Sequence, residues 1–169
     1  MRNLTLRLLN VGCAEGDDVI AVLTKHLLNT TNDDIVIISC DKDMVQLSND
    51  RVSIITVEGT IREPKQELEK ACKIKITENI NANDFLLFKI LIGDSADNIP
   101  NVKPGIGPKK AFNFITDKNK LKALLKEDIT IFDNFARNKK LISMNEIPQH
   151  IHELILEEYS TAINKDKII

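Results

Sequence analysis

The amino-acid sequence predicts an α/β fold in which a small parallel sheet is followed by a helical region. Two observations support this fold class. Before residue 80, helical apolar patterns alternate with two short β-branched runs across short loops, which is typical of a parallel sheet. After residue 80 the strand patterns stop and helical patterns follow one another. We therefore expect residues 1–80 to form the α/β part and residues 81–169 the helical part.

The α/β part begins with an amphipathic helix, because apolar residues recur at helical spacing between Asp17 and Leu28. A polar loop follows, and then the run Ile35–Ile38. Its unbroken β-branched character is typical of a strand buried on both faces of a parallel sheet. Three further elements are predicted after it: a short helix over residues 44–47, a strand over 52–57, and a loop and helix over 64–75.

The second part reads as a series of helices. The strongly apolar run 85–92 predicts a helix with Asn83 or Asp84 as its cap. Gly93 is expected to end that helix. Pro108 suits the first position of another helix, since its missing N–H is not needed there. Helical patterns then cover residues 108–115, 121–125, 131–143 and 151–159.

Composition limits the class of protein. The chain has 169 residues, of which 43% are hydrophobic, enough to bury a core in one domain, with or without a small appendage. It contains no run of 18 apolar residues, so we expect no membrane span and no membrane partner. Cys13, Cys40 and Cys72 are scattered, as expected of a reducing compartment, and we predict a cytoplasmic protein.

Charge is distributed unevenly although the net charge is only −2. Residues 1–58 contain nine acidic and five basic side chains. Residues 99–126 contain seven lysines against a single acid, Asp117. An acidic pole suits metal cations and a basic pole suits phosphates, whereas the alternative is a solvated, lysine-rich helix face. One Tyr and no Trp disfavour the binding of single strands by stacked aromatics.

Two groups of carboxylates stand at the ends of predicted elements. Asp41 and Asp43 directly follow the first strand, where ligands bind in open α/β sheets. Two carboxylates held so close repel each other and gain from a shared cation. The alternative is that the pair closes the loop and caps the next helix. Glu15, Asp17 and Asp18 form the second group, for which the alternative is capping of the first helix.

A third pattern joins carboxylates to a glycine-rich turn. Asp94 and Asp97 are three residues apart, and Gly105-Ile106-Gly107 follows shortly before Lys109 and Lys110 open a helix. Such carboxylates can hold a divalent metal. A glycine turn at a helix N-terminus offers backbone N–H groups to a phosphate. Together the two halves indicate an enzyme that cuts a nucleic-acid backbone.

These blocks resemble the 5′-nuclease (flap endonuclease-like, 5′–3′ exonuclease) superfamily. Residues 15–20 resemble its Glu-Ala-Asp-Asp-x-Ile block, with Gly16 in place of Ala. Residues 39–47 resemble its Ser-x-Asp-x-Asp-x-x-Gln-Leu block, and residues 93–110 its helix-three-turn-helix DNA-binding element, with Pro104 as an added residue. More loosely, residues 135–148 resemble the ending of T-even phage ribonuclease H. The resemblance implies a PIN/5′-nuclease-like core followed by a helical DNA-binding region.

The resemblance also implies roles for individual residues. It implies catalytic roles for Asp17, Asp41, Asp43 and Asp97. Two ions, Mg²⁺ or Mn²⁺, would be about 4 Å apart, and the turn would also hold K⁺. The first ion would be served by Glu15, Asp17, Asp41 and Asp43, the second by Asp43, Asp94 and Asp97, with Asp18 as a further candidate. Duplex phosphates would be contacted by Gly105, Ile106, Gly107, Lys109 and Lys110.

The implied activity is that of a metal-dependent 5′→3′ exonuclease or flap endonuclease. It would act on ends of DNA or of RNA–DNA duplexes, as in RNA primer removal during phage DNA replication, in the host cytoplasm if the protein is viral. Partners would be duplex or flap DNA, RNA–DNA hybrid and replication proteins such as a clamp or a single-strand-binding protein. Because members of the superfamily carry a further ligand-bearing segment before residues 15–20, we expect this chain to correspond to their C-terminal part and to be weak or inactive alone.

The sequence leaves two alternatives open. One is a non-catalytic duplex-DNA-binding module left from a truncated or split nuclease, which would keep the turn but lack a full metal site. The other is a PIN-like ribonuclease, which shares the α/β carboxylate scheme. The turn at residues 105–107 disfavours the second alternative.

Overall fold

The computed structural model describes residues 6–165, which form two compact units. One unit combines the chain up to Asp33 with the chain from Ile147 onward, and the other spans Asp34–Glu146. In chain order the elements are α1 (Gly16–Thr30), β1 (Ile35–Ile38), a 3₁₀ helix (Asp43–Leu47), β2 (Val52–Ile55), β3 (Ile61–Arg62), α2 (Pro64–Cys72), α3 (Ala82–Ile92), α4 (Pro108–Thr116), α5 (Lys118–Glu127), α6 (Ile129–Ile142) and α7 (Gln149–Lys165).

The first unit is a pair of helices, α1 and α7, that pack on each other. Val22 of α1 and Ile151 and Ile155 of α7 are buried between them. Both helices were predicted, and both run beyond their predicted ends. The carboxylate of Asp18 accepts a hydrogen bond from the backbone N–H of Glu15 at 3.1 Å, which stabilises the start of α1.

The sheet of the second unit has three strands in the order β1-β2-β3. β1 and β2 are parallel, with Ile35 opposite Val52, as the sequence predicts. The short strand β3 was not predicted, and it pairs with β2 in the antiparallel direction, so the sheet is mixed. The predicted α/β fold class is therefore confirmed. The prediction of a purely parallel sheet is wrong, because the short third strand is antiparallel to β2.

Burial of β1 also differs from the prediction. Ile37 is 5% exposed, but Val36 is 57% exposed and Ile38 is 63% exposed. β1 thus has one covered face and one open face among the described residues, rather than two buried faces. An unbroken apolar run does not distinguish these cases, because burial depends on which elements reach each face of the sheet.

Helix α3 lies at the centre of the second unit. It packs against α2, α4, α6 and the 3₁₀ helix, and Phe85, Phe88 and Leu91 on it are buried. Its cap is Asn81, whose side chain accepts the N–H groups of Asn83 and Asp84. The predicted caps, Asn83 and Asp84, are therefore wrong by two or three residues. The C-terminal end of α3 positions Lys89, in its last turn, and Asp94, which directly follows its cap Gly93.

Two contacts fix the end of α6 to the 3₁₀ helix. Gln46 donates to the carbonyl of Ile142 at 3.1 Å and accepts the N–H of Met144 at 3.0 Å. Both partners are far from Gln46 along the chain, so its amide links two distant segments of the second unit. No helix among the described residues is long and apolar enough to cross a membrane.

Candidate metal and nucleic-acid site

The loop after β1 is organised by its own side chains. The hydroxyl of Ser39 accepts the N–H of Asp41 at 3.0 Å, and the carboxylate of Asp41 accepts the N–H of Asp43 at 2.8 Å. Side chains that accept from the backbone two residues later form tight turns. Asp41 therefore takes the role in loop closure that the sequence offered as an alternative to metal binding, and it remains exposed.

Asp43 and Asp94 are brought together by a lysine from the last turn of α3. The ammonium of Lys89 lies 2.9 Å from Oδ1 of Asp43 and 2.5 Å from Oδ2 of Asp94. The three side chains are between 16% and 22% exposed. Two of the predicted ligand blocks, which are separate in sequence, thus meet at one partly buried cation.

The electrostatics of this cluster follow from burial and from like charges. Burial raises the pKa of the Asp43 carboxyl, and the nearby charges of Asp41 and Asp94 raise it further, while Lys89 opposes the change. Asp43 is therefore close enough to both Asp41 and Asp94 for their negative charges to repel its own. Such a group favours a cation, and carboxylate oxygens are the donors that Mg²⁺ and Mn²⁺ prefer.

The other two members of the cluster are held in their charged forms. Burial would lower the pKa of Lys89, but hydrogen bonds to Asp94 and Asp43 outweigh it, and the pKa is raised. Burial would raise the pKa of Asp94, but hydrogen bonds from Lys89 and from the N–H of Ala96 hold it below its usual value. Lys89 is therefore a protonated ammonium bound to at least one ionised carboxylate at neutral pH.

The loop that carries Asp94 depends on a glycine. Gly93 has φ +73°, and a Cβ there would lie 2.2 Å from the carbonyl oxygen of Ile99. That close approach allows Asp94 and Ile99 to exchange two backbone hydrogen bonds, at 2.8 and 2.7 Å. Oδ1 of Asp94 accepts the N–H of Ala96 at 2.9 Å, which leaves Oδ2 for Lys89. The loop thereby orients the Asp94 carboxylate toward Asp43.

The remaining predicted ligands are not part of this ion-paired cluster. Asp97 is exposed on the same loop as Asp94. Glu15, Asp17 and Asp18 lie at the start of α1, in the other unit. Within residues 6–165, no group of three His, Cys, Asp or Glu side chains is arranged to hold a metal ion. The donor chemistry of the cluster suits a divalent ion, but the positive charge between Asp43 and Asp94 is that of Lys89.

Two asparagines of α6 hydrogen-bond to backbone carbonyls on either side of the Asp94 loop and in its continuation. Asn138 is completely buried and donates to the carbonyls of Ile90 at 3.0 Å and Pro100 at 2.7 Å. Asn134 donates to the carbonyl of Val102 at 3.1 Å. Sequence reasoning missed these supports and Lys89. Asn138 lies in the stretch that resembles the ribonuclease H ending, but no local pattern indicates its partners.

The glycine-rich turn begins with a tight bend. The N–H of Ile106 donates to the carbonyl of Lys103 at 3.1 Å, and Gly105 between them has φ +82°. Pro104 before a glycine with positive φ is the arrangement of a type II turn, so the added proline fits. The Ile106 N–H was expected to serve a phosphate, but the turn already uses it. The Ile106 side chain is buried.

The N-terminus of α4 provides the other donors. Gly107 is its cap and has no side chain to satisfy the first N–H groups, and Pro108 has no N–H. The backbone N–H groups of Lys109 and Lys110 belong to that first turn. The ammonium of Lys110 lies 3.9 Å from where a Cβ of Gly105 would be, so its charge is beside the bend. This is the geometry that attracts phosphate groups.

Comparison with known proteins gives consistent results. A family model described as the N-terminal resolvase-like domain of 5′-3′ exonucleases matches residues 1–79. The thermostable DNA polymerase I of Thermus thermophilus is 30% identical over 152 residues, and the 5′-3′ exonuclease of Bacillus subtilis is 32% identical over 136 residues. These alignments cover 90% and 79% of the chain.

The structural comparison adds the 5′-exonuclease of phage T5. Its structure with bound zinc superposes with a TM-score of 0.62 at 21% identity, covering 88% of this chain and 59% of that one. A T5 flap endonuclease structure in complex with DNA and metal ions gives a TM-score of 0.59 at 20% identity, covering 86% of this chain and 59% of that one. At this identity the similarity establishes the fold. The chain spans 16% of the Thermus polymerase and 44% of the Bacillus exonuclease.

Proposed function

This chain belongs to the 5′-nuclease superfamily, and we propose that it supplies metal-binding carboxylates and a DNA-binding turn to a metal-dependent 5′→3′ exonuclease or flap endonuclease. The observation that carries the proposal is the meeting of Asp43 and Asp94 at Lys89, in the unit that also contains the uncapped N-terminus of α4. A site for cations and a site for phosphates thus belong to one compact unit.

The cation site of the proposal contains Asp41, Asp43, Asp94 and Asp97 of the second unit. For Glu15, Asp17 and Asp18, which belong to the first unit, metal binding stays an expectation from the resemblance. When bound, Mg²⁺ or Mn²⁺ would activate a water molecule and stabilise the leaving oxygen of a phosphodiester, and two ions are typical of such sites. The divalent zinc ions bound to the T5 exonuclease support the use of a divalent metal. Lys89 forms an ion pair with each of Asp43 and Asp94 and so holds the two carboxylates close together.

The phosphate site of the proposal is the turn and the start of α4. Gly105 and Gly107 let a duplex backbone approach closely, and the N–H groups and ammonium groups of Lys109 and Lys110 contact its phosphates. Ile106 anchors the turn through its buried side chain. A K⁺ ion bound by the turn is also part of the proposal. The DNA complex of the T5 flap endonuclease supports DNA as the ligand.

The biological role is proposed from the resemblance to the superfamily. We assign residues 1–80 to the metal-binding part and residues 81–169 to DNA binding, although Lys89 and Asp94 of the second part complete the cluster. The substrates would be 5′ ends of flaps or RNA–DNA duplexes, as in primer removal during phage replication. A clamp and a single-strand-binding protein are the partners expected of that process, which takes place in the cytoplasm.

A second candidate function is a non-catalytic module that binds duplex DNA. One observation favours it: among the described residues no three His, Cys, Asp or Glu side chains are arranged to hold a metal ion, and Lys89 already forms ion pairs with Asp43 and Asp94. The turn at Gly105 and the basic start of α4 do not depend on a metal. The two candidates differ in whether the carboxylates are needed for cleavage.

The test is cleavage of a 5′-labelled flap and of an RNA-primed duplex, with Mg²⁺, with Mn²⁺ and with EDTA. A nuclease cuts from the 5′ end, is inhibited by EDTA, and loses cleavage but keeps duplex binding in Asp43→Asn/Asp94→Asn. The exposed Asp133→Asn of α6 is the matched control and should leave cleavage unchanged.

Duplex binding is measured separately, as a function of salt. Lys109→Ala/Lys110→Ala should weaken it and reduce its salt dependence, because fewer counterions are released. Lys139→Ala/Lys140→Ala removes two adjacent exposed lysines elsewhere and should weaken it less. Cleavage that is lost in Asp43→Asn/Asp94→Asn supports the nuclease, whereas binding without cleavage is expected of the second candidate and also of a nuclease part that is inactive alone. Absence of both, or equal loss in the two lysine variants, contradicts the proposed DNA-binding turn.

A further inference from the structure

A cleft of about 560 Å³ opens on the second unit between the Gly105 turn and helices α4 and α5. It is separate from the Asp43 and Asp94 cluster, since none of those residues lines it. The cleft is open to solvent on one side, and its volume lies within the range of ligand-binding clefts. The cleft has room for one or two large side chains of a partner.

The floor of the cleft is apolar. Ile106 and Leu124 are 4% and 5% exposed, and the ring of Phe114 and the methyl group of Ala123 also line the cleft. The four side chains present no hydrogen-bonding groups. Filling this floor with an apolar side chain would remove hydrocarbon surface from water.

The rim of the cleft is strongly basic. Four lysines and one glutamate are among the residues that line it. Lys103 is paired with Glu127, and Lys120 lies 3.3 Å from the carboxylate of Asp117. Within residues 6–165, neither Lys110 nor Lys126 has a carboxylate at ion-pair distance. The rim thus retains positive charge beyond its internal ion pairs.

We propose that this cleft binds an acidic segment of a partner protein that inserts a large apolar side chain between the lysines. Charge complementarity selects the acidic residues, and the apolar floor selects the anchor. A nucleic acid would satisfy the lysines through its phosphates, but a duplex backbone has no apolar group to fill the floor. A peptide of alternating acidic and apolar residues would pair with the lysines of the rim and fill the apolar floor.

The position of the cleft predicts that peptide binding affects DNA binding. Gly105 and Lys110 line the cleft and also belong to the proposed DNA-binding turn, so the peptide and a duplex would compete. That competition rests on the proposed function of the turn in DNA binding. Peptide binding itself is measured without DNA, so its failure and the failure of the nuclease proposal are distinguishable.

The experiment measures fluorescence anisotropy of labelled peptides with the full chain. The first probe has acidic residues flanking a central Phe-Leu pair. The second replaces that pair by serines and keeps the charge, and the third replaces the acidic residues by serines and keeps the pair. We expect the first probe to bind about tenfold more tightly than either control, since each control removes half of the recognition.

Two sets of variants locate the site. Lys120→Gln/Lys126→Gln removes two charges from the rim, whereas Lys118→Gln/Lys122→Gln removes two charges from residues of α5 that do not line the cleft. The first pair should weaken binding about tenfold and the second less than twofold. Ala123→Trp fills the cleft while keeping every lysine, and it should abolish binding. Circular dichroism confirms that each variant is folded.

Several outcomes would overturn the proposal. Equal binding of the serine-containing acidic probe would mean that the lysines attract any polyanion and that the floor plays no part. Equal losses in the two lysine pairs would place the peptide elsewhere. No peptide binding, together with single-stranded or duplex DNA binding that depends on Lys120 and Lys126, would assign the cleft to nucleic acid.

Discussion

The ammonium of Lys89 lies 2.5 Å from the carboxylate of Asp94, and the same ammonium contacts Asp43 at 2.9 Å. Lys89 and Asp94 stand at the end of one helix and the start of the next loop, whereas Asp43 follows the first strand. One side chain thus joins the two acidic blocks of the second unit. If divalent ions bind Asp43 and Asp94, they compete with an internal cation for the same oxygens.

Substitution of Lys89 tests this bridge. In Lys89→Met, Asp43 and Asp94 would face each other without a counter-charge in a partly buried place. We expect a loss of about 1–3 kcal/mol in the free energy of unfolding without metal, measured by urea denaturation. Added Mg²⁺ should restore more stability to Lys89→Met than to the unmodified chain, because it would take over the role of the ammonium.

The matched control is Lys139→Met, which removes an ion pair with Glu146 at the surface of the same unit. Exposed pairs contribute little, so a much smaller change is expected, with no effect of Mg²⁺. If both lysine variants behave alike, the bridge between the two carboxylates has no special role in stability.

Gly93 is predicted to be intolerant of any side chain. In Gly93→Ala a Cβ would clash with the carbonyl oxygen of Ile99 at 2.2 Å and the residue would retain φ +73°. We expect a destabilisation of about 3 kcal/mol or more, with loss of the Asp94–Ile99 hydrogen bonds. Urea denaturation measures the first effect, and hydrogen exchange of the Asp94 and Ile99 amides measures the second.

Gly59→Ala separates backbone strain from the clash. Gly59 has φ +83°, but nothing lies within 4 Å of a Cβ there. Strain alone should cost about 1 kcal/mol. Equal effects at the two glycines would mean that the loop of Asp94 can move to accommodate a methyl group.

Asn138 is predicted to be the principal support of the Asp94 loop from α6. Asn138→Ala would leave the carbonyls of Ile90 and Pro100 without their donor in a buried place, at a cost of about 2–4 kcal/mol. Asn134→Ala removes one hydrogen bond, from a half-buried side chain to the carbonyl of Val102. It should lower the free energy of unfolding by about 1 kcal/mol. Thermal unfolding of both variants checks the order, and a reversed order would contradict it.

Acid sensitivity is predicted at the starts of α5 and α6. Hydrogen bonds from the backbone N–H of Lys120 and from its side chain lower the pKa of Asp117, and those from Thr130 lower the pKa of Asp128. A carboxyl with a lowered native pKa stabilises the fold above its unfolded pKa of about 4, and that stability is lost as the pH falls through the native value.

The measurement for this prediction compares melting temperatures near neutral pH and below about pH 4. Asp117→Asn/Asp128→Asn keeps both caps as hydrogen-bond acceptors but removes their titration. Its melting temperature should therefore fall less on acidification than that of the unmodified chain. An identical fall would show that other carboxylates account for the acid response.

Much of the secondary structure follows from local sequence. The helices, the parallel pair β1 and β2, and the start of α4 at Pro108 were predicted, because helical periodicity, β-branching and proline each act within a few residues. The cap of α3 was misplaced to Asn83 or Asp84, since Asn81, Asn83 and Asp84 are all suitable capping residues and only the geometry selects Asn81.

The sequence alone identified the acidic blocks, the glycine turn and the superfamily they resemble, because these signals lie in residue types at short spacing. The tertiary structure alone decided that Lys89 joins Asp43 to Asp94, that Asn138 supports their loop, and that one face of β1 is open. These features depend on packing between segments far apart in the chain. Local patterns carry no information about such contacts, since burial and pairing are set by the whole unit around α3.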